Sequence, residues 1–129
     1  MAGVLLDTHS WAWALTTNPN LTLHAMTAMA SAAFIAVSPI SLYEVAQKVR
    51  LGKWPQMTGY AVGLEQAVKR QGFVFAEMNP AIATRAGLLD WDHRDPFDRI
   101  LAATALVGGM DFISADTAFD AVPGLRRIW

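Results

Sequence analysis

Short apolar runs with no polar alternation recur along the chain, and each is followed by a stretch with helical character. An uninterrupted apolar run of this length is typical of a strand that is covered on both faces. We predict strands at Gly3–Asp7, Phe34–Ser38, Phe73–Ala76, Met110–Ser114 and, at an edge, Leu125–Ile128. Strands that alternate with helices predict an α/β fold, with a central parallel sheet of four to five strands between two layers of helices.

Proline, glycine and small polar residues mark where the helices between these strands begin and end. The predicted helices are Thr8–Leu15, Leu21–Ala33, Ser41–Leu51, Gly59–Gln71, Pro80–Leu88 and Asp95–Val107. No linker, repeat or low-complexity segment interrupts the pattern. A chain of 129 residues without such breaks is predicted to form a single domain that spans residues 1–129.

Composition and charge exclude several function classes. The chain has no cysteine, which excludes disulfides, cysteine-ligated zinc, iron–sulfur clusters and thiol catalysis, and which suits a cytoplasmic protein. A net charge of −1 provides no chain-wide basic field, so any contact with RNA or DNA must depend on a local patch. Asp7 interrupts the first apolar run and no basic region precedes it, so we predict neither a signal peptide nor a membrane segment.

The segment from Thr8 to Tyr43 contains no Asp, Glu, Lys or Arg. A surface element of a monomer normally carries charge, so this segment has two interpretations. Either it is a buried part of a small core, or it presents a partly apolar outer face to another chain.

Four acidic residues lie at predicted strand ends or at the starts of the helices beside them: Asp7, Glu44, Asp98 and Asp116. In a parallel sheet these junctions share one edge, which is where ligands bind. Carboxylates about 4 Å apart repel by up to about 4 kcal/mol at an effective dielectric constant of about 20. A cation or partial protonation relieves that repulsion, and oxygen ligands without cysteine favour Mg²⁺ or Mn²⁺.

The same acids also fit helix capping. Asp7 and Asp116 each precede a predicted helix or turn. Ser41 and Glu44 match the capping-box spacing, which would make the glutamate an acceptor for a main-chain N–H. Asp95, directly before a proline, is typical of an N-cap. Capping explains acids at any helix start, whereas a metal site explains why these acids share one edge of the sheet.

Several segments resemble those of PIN-domain ribonucleases, and specifically of the VapC toxins of bacterial toxin–antitoxin pairs. The segments are Leu5-Leu-Asp7-Thr8-His9, Ser38-Pro-Ile-Ser-Leu-Tyr-Glu44-Val with Lys48-Val-Arg-Leu-Gly-Lys53, His93-Arg-Asp95-Pro-Phe-Asp98-Arg-Ile-Leu-Ala-Ala, and Ile113-Ser114-Ala-Asp116. They occur in the family's order and cover the chain almost end to end. The resemblance implies the PIN-like α/β/α sandwich.

The resemblance also implies a function and the residues that perform it. Asp7, Glu44 and Asp98 would hold Mg²⁺ or Mn²⁺ with Asp116 as the fourth acid, and a metal-activated water would hydrolyse RNA phosphodiester bonds, leaving a 5′-phosphate and a 3′-hydroxyl. Asp95 is the nearest rival to Asp98, as a neighbour that binds through water or caps the helix.

Other polar residues near these acids are candidates for secondary roles. Thr8 and Ser114 offer hydroxyls near the metal, with buried caps as the alternative. The candidate RNA contacts are Lys48, Arg50, Lys53, Arg94 and Arg99. Their alternatives are an i,i+4 pair between Lys48 and Glu44, ordinary solvated surface, and a structural role for Arg99.

Aromatic residues and histidines give weaker signals. The tryptophans that could stack on bases are Trp11, Trp13, Trp54 and Trp91, although core or partner contacts are the commoner use of such residues. His9, His24 and His93 show no metal-ligand spacing, and a structural role is preferred for His9 beside Asp7.

Two partners besides RNA follow from the resemblance. It implies a cognate VapB-like antitoxin whose tail blocks the site, and a toxin homodimer. An apolar outer face on the helices Thr8–Leu15 and Leu21–Ala33 would suit either partner.

The competing function is a non-catalytic module on a similar doubly wound fold, either a Mg²⁺-binding signalling domain or a protein-interaction domain. A phosphoacceptor domain needs paired acids after its first strand and a late lysine at the same edge. Here Asp7 stands alone and no lysine follows Lys69, so the sequence favours the nuclease.

Overall fold

A five-stranded parallel sheet forms the centre of the computed structural model, which describes residues 2–129. The strands are β1 Val4–Leu6, β2 Ile35–Val37, β3 Val74–Phe75, β4 Asp111–Ile113 and β5 Arg127–Ile128. Their order across the sheet is β3-β2-β1-β4-β5, and every neighbouring pair is parallel. The predicted α/β class and parallel sheet are therefore confirmed, and β1 occupies the central position.

Six α-helices and two short 3₁₀ helices connect the strands. The α-helices are α1 Thr8–Thr16, α2 Leu23–Ser31, α3 Pro39–Arg50, α4 Leu64–Arg70, α5 Pro80–Leu88 and α6 Pro96–Gly108. The 3₁₀ helices are Pro55–Tyr60 and Thr117–Ala121.

Alternate strand residues pack on opposite faces of the sheet, as the two-residue repeat of a strand requires. Leu5 and Phe112 belong to the core that packs under α6 with Leu101. Leu6 belongs to the opposite core, together with Trp11 of α1. Both faces of the sheet are therefore buried, which explains why its strands are continuous apolar runs.

Most predicted helix ends lie within two residues of the observed ones, and α2 is shorter than the predicted Leu21–Ala33, but two differences change an interpretation. The predicted helix Gly59–Gln71 is a 3₁₀ helix followed by α4, because Gly63 serves as the N-cap of α4 and interrupts the run. The helix predicted to begin at Ser41 begins at Pro39, with Ser38 as its N-cap. The capping-box interpretation of Ser41 and Glu44 is therefore wrong, and Glu44 lies in the second turn of α3 rather than the first.

Most of α2 lies on the surface, and Ala25 is its one fully buried residue. Leu23 is 77% exposed and Met26 is 45% exposed. The charge-free segment is therefore not simply part of the core, because in α2 its apolar side chains face outward. Within residues 2–129, no helix has the length and apolar character needed to cross a bilayer.

Candidate active site

Asp7 lies at the carboxyl end of β1, is 9% exposed and is the N-cap of α1. Its Oδ1 accepts a 2.8 Å hydrogen bond from the Ser10 N–H, and its Oδ2 accepts a 2.6 Å hydrogen bond from the Ser114 hydroxyl. Burial raises the pKa of Asp7, although hydrogen bonds from the two serines lower it. The capping interpretation is thus correct for one oxygen, but a carboxylate has about four acceptor sites and can still take a further ligand.

Ser114, directly after β4, connects Asp7 to Asp116. Its hydroxyl donates to Asp7 and accepts a 3.0 Å hydrogen bond from the Asp116 N–H. The exposed Asp116 side chain caps the following 3₁₀ helix by accepting a 2.9 Å hydrogen bond from the Ala118 N–H. The capping interpretation is therefore confirmed for Asp116. The Ser114 hydroxyl hydrogen-bonds both to the Asp116 main chain and to the Asp7 carboxylate, and so links the two residues.

Glu44 is 6% exposed and faces inward from α3. The Thr8 and Ser41 hydroxyls lie 2.9 Å apart, so the start of α1 beside Asp7 contacts α3 one turn before Glu44. Oε2 of Glu44 accepts a 2.8 Å hydrogen bond from Lys48 Nζ. The i,i+4 pair is thus present, and Lys48 is the cation that balances this buried carboxylate.

Asp98 lies in the first turn of α6, with Asp95 as the N-cap. His93 Nε2 lies 2.6 Å from Asp98 Oδ2. The Asp95 side chain accepts a 2.9 Å hydrogen bond from the Phe97 N–H and a 3.5 Å one from the Asp98 N–H. Asp95 therefore caps α6, and the Asp98 side chain is not the one that caps this helix.

Helices α3 and α6 bring Glu44 and Asp98 close enough to interact electrostatically. The rings of the preceding residues, Tyr43 and Phe97, have centroids 5.7 Å apart. Burial raises the pKa of Asp98 to about 6, the hydrogen bond with His93 lowers it, and the negative charge of Glu44 raises it further. Glu44 and Asp98 therefore interact electrostatically, although the charge of Asp95 affects the pKa of Asp98 more strongly than that of Glu44 does.

The tightest grouping of metal-ligating side chains is not the predicted set of four acids. In the part of the chain that the structure describes, only His93, Asp95 and Asp98 bring three such atoms within 4.8 Å of one another. Sequence reasoning missed His93, because it is not at a spacing typical of zinc or haem ligands. The available signal was its position in a loop, two residues before the N-cap of α6.

The predicted RNA contacts have different surroundings. Arg50, Lys53 and Arg94 are exposed. Lys48 is half-buried against Glu44, and its Nζ lies 5.5 Å from the centroid of the Trp54 ring. Three of the cations are therefore available to solvent, and Lys48 is already engaged.

Arg99 has a structural role. Its guanidinium donates hydrogen bonds of 2.7–3.3 Å to the main-chain carbonyls of Ala86, Gly87, Leu89, Trp91 and His93. These bonds use all five N–H groups of the side chain, so none remains for a phosphate. The prediction that Arg99 contacts RNA is therefore wrong, and the alternative, a structural role, is correct.

Two of the candidate tryptophans differ sharply in exposure. Trp11 is 0% exposed and donates a 2.9 Å hydrogen bond to the Gln71 side chain, so it is a core residue and cannot stack on a base. Trp54 is half-buried and stacks on the exposed His9, with centroids 4.6 Å apart. His9 follows Asp7 by two residues, so this pair borders the site.

The other two tryptophans make aromatic contacts within the protein. Trp13 packs against Trp129, with centroids 5.8 Å apart. Trp91 stacks on His93 at 4.5 Å and donates a 3.2 Å hydrogen bond to the Ala118 carbonyl. Trp91 therefore supports the residue that contacts Asp98.

The donor set fits a hard divalent cation. Asp7 and Glu44 are buried carboxylates, and burial of an anion is unfavourable unless a cation compensates it. Lys48 compensates Glu44, but no lysine or arginine within residues 2–129 forms an ion pair with Asp7. Carboxylate oxygens at this edge are the ligands that Mg²⁺ and Mn²⁺ prefer.

A mostly apolar groove lies elsewhere. It has a volume of about 550 Å³ and runs beside β3, where its lining includes Phe34, Val74 and Met110. None of the predicted site residues lines it, and its walls are mostly apolar, so it offers no acid–metal chemistry.

Comparison with known proteins shows the same fold in several toxin–antitoxin complexes. The chain resembles VapBC2 from Rickettsia felis bound to a promoter DNA fragment, at 17% identity over 97% of this chain and 96% of that chain, with a TM-score of 0.69. DNA-bound VapBC from Salmonella typhimurium is similar at 18% identity over 98% and 97%, with a TM-score of 0.63. A toxin–antitoxin complex from Klebsiella pneumoniae is similar at 20% identity over 95% and 94%, with a TM-score of 0.62.

These low identities show a shared fold but do not assign the chain to a family, and a family model does. No curated protein matches the chain. The model of the PIN domain matches residues 4–125. This range includes strands β1 to β4 and the four predicted acids, Asp7, Glu44, Asp98 and Asp116. The chain therefore belongs to the PIN domain family.

Proposed function

We propose that this protein is a Mg²⁺- or Mn²⁺-dependent endoribonuclease and the toxin of a type II toxin–antitoxin pair. The observation that carries the proposal is the burial of Asp7 and Glu44, two carboxylates from distant parts of the chain, at the edge of the sheet where Asp98 also lies. Desolvation of each carboxylate costs free energy, and for Asp7 the capping and serine hydrogen bonds come without any lysine or arginine partner within residues 2–129.

In this proposal Asp7, Glu44, Asp98 and Asp116 hold the ion. When bound, the ion supplies an activated water and stabilises negative charge on the phosphate. The protein's own contribution is orientation. Ser114 fixes Asp7 at 2.6 Å, and packing of α3 against α1 and α6 keeps Glu44 at the site.

The exposed cations beside the acids are the proposed RNA contacts. Arg50, Lys53 and Arg94 would bind phosphates on either side of the cleaved bond. Lys48 joins them once an ion neutralises Glu44 in its place. Arg99 has no part in this set.

The proposed protein partner is a VapB-like antitoxin. Support comes from the likeness in fold to VapBC complexes and from the apolar outer surface of α2, where Leu23 and Met26 are exposed. Formation of a homodimer is proposed on the same grounds.

Cleavage of a total RNA pool tests the proposal. Wild-type protein is incubated with RNA in Mg²⁺, in Mn²⁺ and in a chelator, and the product ends are mapped. Asp7→Asn removes the central carboxylate charge, and the matched control is Asp111→Asn, at the start of β4 and so at the opposite end of the sheet. We expect metal-dependent cleavage that leaves 5′-phosphates, abolished in Asp7→Asn and kept in Asp111→Asn.

Full cleavage by Asp7→Asn, or cleavage that persists in the chelator, would contradict the proposal. A protein that binds its antitoxin but cleaves no RNA under any of these conditions would instead support the non-catalytic interaction module.

A further inference from the structure

We propose that His93 is a positioning residue whose imidazole N–H holds the Asp98 carboxylate in the orientation that binds the metal ion. This inference rests on the proposed function in one respect, because it takes Asp98 as a ligand. It adds a residue to the site that lies outside the four acids.

The contact between the two side chains defines the direction of the hydrogen bond. His93 Nε2 lies 2.6 Å from Asp98 Oδ2, which is a short distance for an N–H donor. When it is ionised, the Asp98 carboxylate can only accept, so the bond then requires the proton on Nε2. The bond involves one oxygen of Asp98, Oδ2.

Aromatic packing fixes the His93 ring. Trp91 stacks on it with a centroid distance of 4.5 Å and an interplanar angle of 21°. The Trp91 indole N–H is itself bound to the Ala118 carbonyl, and both rings contact the buried Phe119. Rotation of the imidazole away from Asp98 would break this stack, so the ring orientation is set before any ligand arrives.

The His93 main chain is fixed as well. Arg99 Nη1 donates to the carbonyls of His93 at 2.9 Å and Trp91 at 2.7 Å. Arg99 directly follows Asp98 in α6. One turn of this helix therefore provides both the guanidinium that binds the loop carbonyls and the carboxylate that contacts the imidazole. Loop, ring and carboxylate therefore form one rigid unit.

The unit explains why a histidine lies beside this acid. Asp95 caps α6 and does not bind the Asp98 side chain. Within residues 2–129, His93 is the side chain that hydrogen-bonds to the Asp98 carboxylate and restrains its rotation. Loss of such a supporting hydrogen bond typically weakens metal binding by about 10- to 100-fold.

Binding of Mn²⁺, followed by the electron paramagnetic resonance signal of the free ion, tests the inference without RNA. His93→Ala removes the donor, and His93→Gln restores an N–H near the position of Nε2. The control is His24→Ala, because His24 is an exposed residue of α2 that contacts the Trp129 carbonyl. We expect His93→Ala to bind Mn²⁺ about 10- to 100-fold more weakly, with His93→Gln and His24→Ala within about threefold of wild type.

Unchanged affinity in His93→Ala, or an equal loss in His93→Gln, would overturn the inference, because the second result would require the imidazole itself as a ligand. Binding of Mn²⁺ that depends on His93 in a protein that cleaves no RNA would refute the proposed function and leave this inference standing.

A metal-free measurement completes the test. Nitrogen-15 NMR of the His93 ring should place the proton on Nε2, and Asp98→Ala should shift that signal while circular dichroism shows an intact fold. A proton on Nδ1, or a ring signal unchanged by Asp98→Ala, would refute the hydrogen bond on which the inference depends.

Discussion

The Ser114 hydroxyl donates a 2.6 Å hydrogen bond to Asp7 Oδ2, although 107 residues separate the two in the chain. The contact joins the carboxyl ends of the adjacent strands β1 and β4. It holds a buried carboxylate in a defined orientation at the centre of the sheet.

Replacement of Ser114 by Ala should destabilise the protein by about 1 to 3 kcal/mol, because the buried Asp7 carboxylate loses a donor and the Asp116 N–H loses an acceptor. Urea unfolding measures this change. The control is Ser31→Ala on the exposed face of α2, whose expected effect is within about 0.5 kcal/mol. Equal stability of the two variants would show that the Ser114 bond contributes nothing.

The stability of the metal-free protein should depend on the ionisation of Asp98. Burial raises its folded-state pKa from 3.8 to about 6, so the folded protein binds a proton that the unfolded chain releases. The stabilisation from this proton is complete below about pH 4 and is lost as the pH rises through about 6. Burial shifts the pKa of Asp7 in the same direction.

Urea unfolding in a chelator between pH 4 and pH 8 measures this dependence, with the slope expected between about pH 4 and pH 6 and a plateau above it. Asp98→Asn should flatten it and stabilise the protein at pH 7 by about 1 to 2 kcal/mol, an amount reduced by the partial exposure of the side chain. Glu65→Gln, on the exposed surface of α4, should retain the wild-type slope. A slope that Asp98→Asn leaves unchanged would contradict the assignment.

Arg99→Lys should destabilise the protein by about 2 to 4 kcal/mol, because an ammonium cannot reproduce five planar N–H contacts with the end of α5 and the loop before α6. Thermal unfolding measures the loss, and the exposed Arg94→Lys serves as the control. Similar melting temperatures for the two variants would argue that the loop is held by its other contacts.

Lys48→Met should destabilise the protein in a chelator by about 1 to 2 kcal/mol, since Glu44 is then buried without a cation. Added Mn²⁺ should raise the melting temperature of this variant more than that of wild type, because the ion no longer displaces an amine. Arg50→Met, an exposed change in the same helix, should respond as wild type does. A smaller Mn²⁺ effect in Lys48→Met would show that the lysine does not compete with the ion.

Leu23→Asp should leave the fold intact, because its side chain is 77% exposed, and should weaken binding of the cognate antitoxin or the self-association of the toxin. Light scattering of the protein alone and titration with the antitoxin separate these two effects. Thr27→Asp, in the same helix, places an equal charge beside the patch for comparison. Unchanged assembly in the Leu23 variant would remove α2 from both interfaces.

The strands and the edge that carries the acids were predictable from the sequence because both depend on local pattern. The strands β1 and β2 are continuous apolar runs, Asp7 directly follows β1, and Asp116 lies three residues after β4. The start of α3 was harder to place, since Ser38 and Ser41 both resemble N-caps. Pro39 decides it, because proline is favoured at the first position of a helix.

Contacts between distant segments were not predictable in the same way. His93 reaches Asp98 because Trp91 stacks on its ring and Arg99 binds its carbonyl. Each of these interactions depends on the path of a loop, which has no periodic signal in the sequence. The structural role of Arg99 could not be predicted either. All its acceptors are main-chain carbonyls, which every residue has and which therefore leave no signal in the sequence.

Anomalous diffraction from crystals soaked in Mn²⁺ tests the central claim most directly, because it locates the ion. We predict a peak between the carboxylates of Asp7, Glu44 and Asp98, lost in crystals of Asp7→Asn. A peak confined to His93, Asp95 and Asp98, or no peak beside Asp7 and Glu44, would contradict the claim that these buried acids form a metal site.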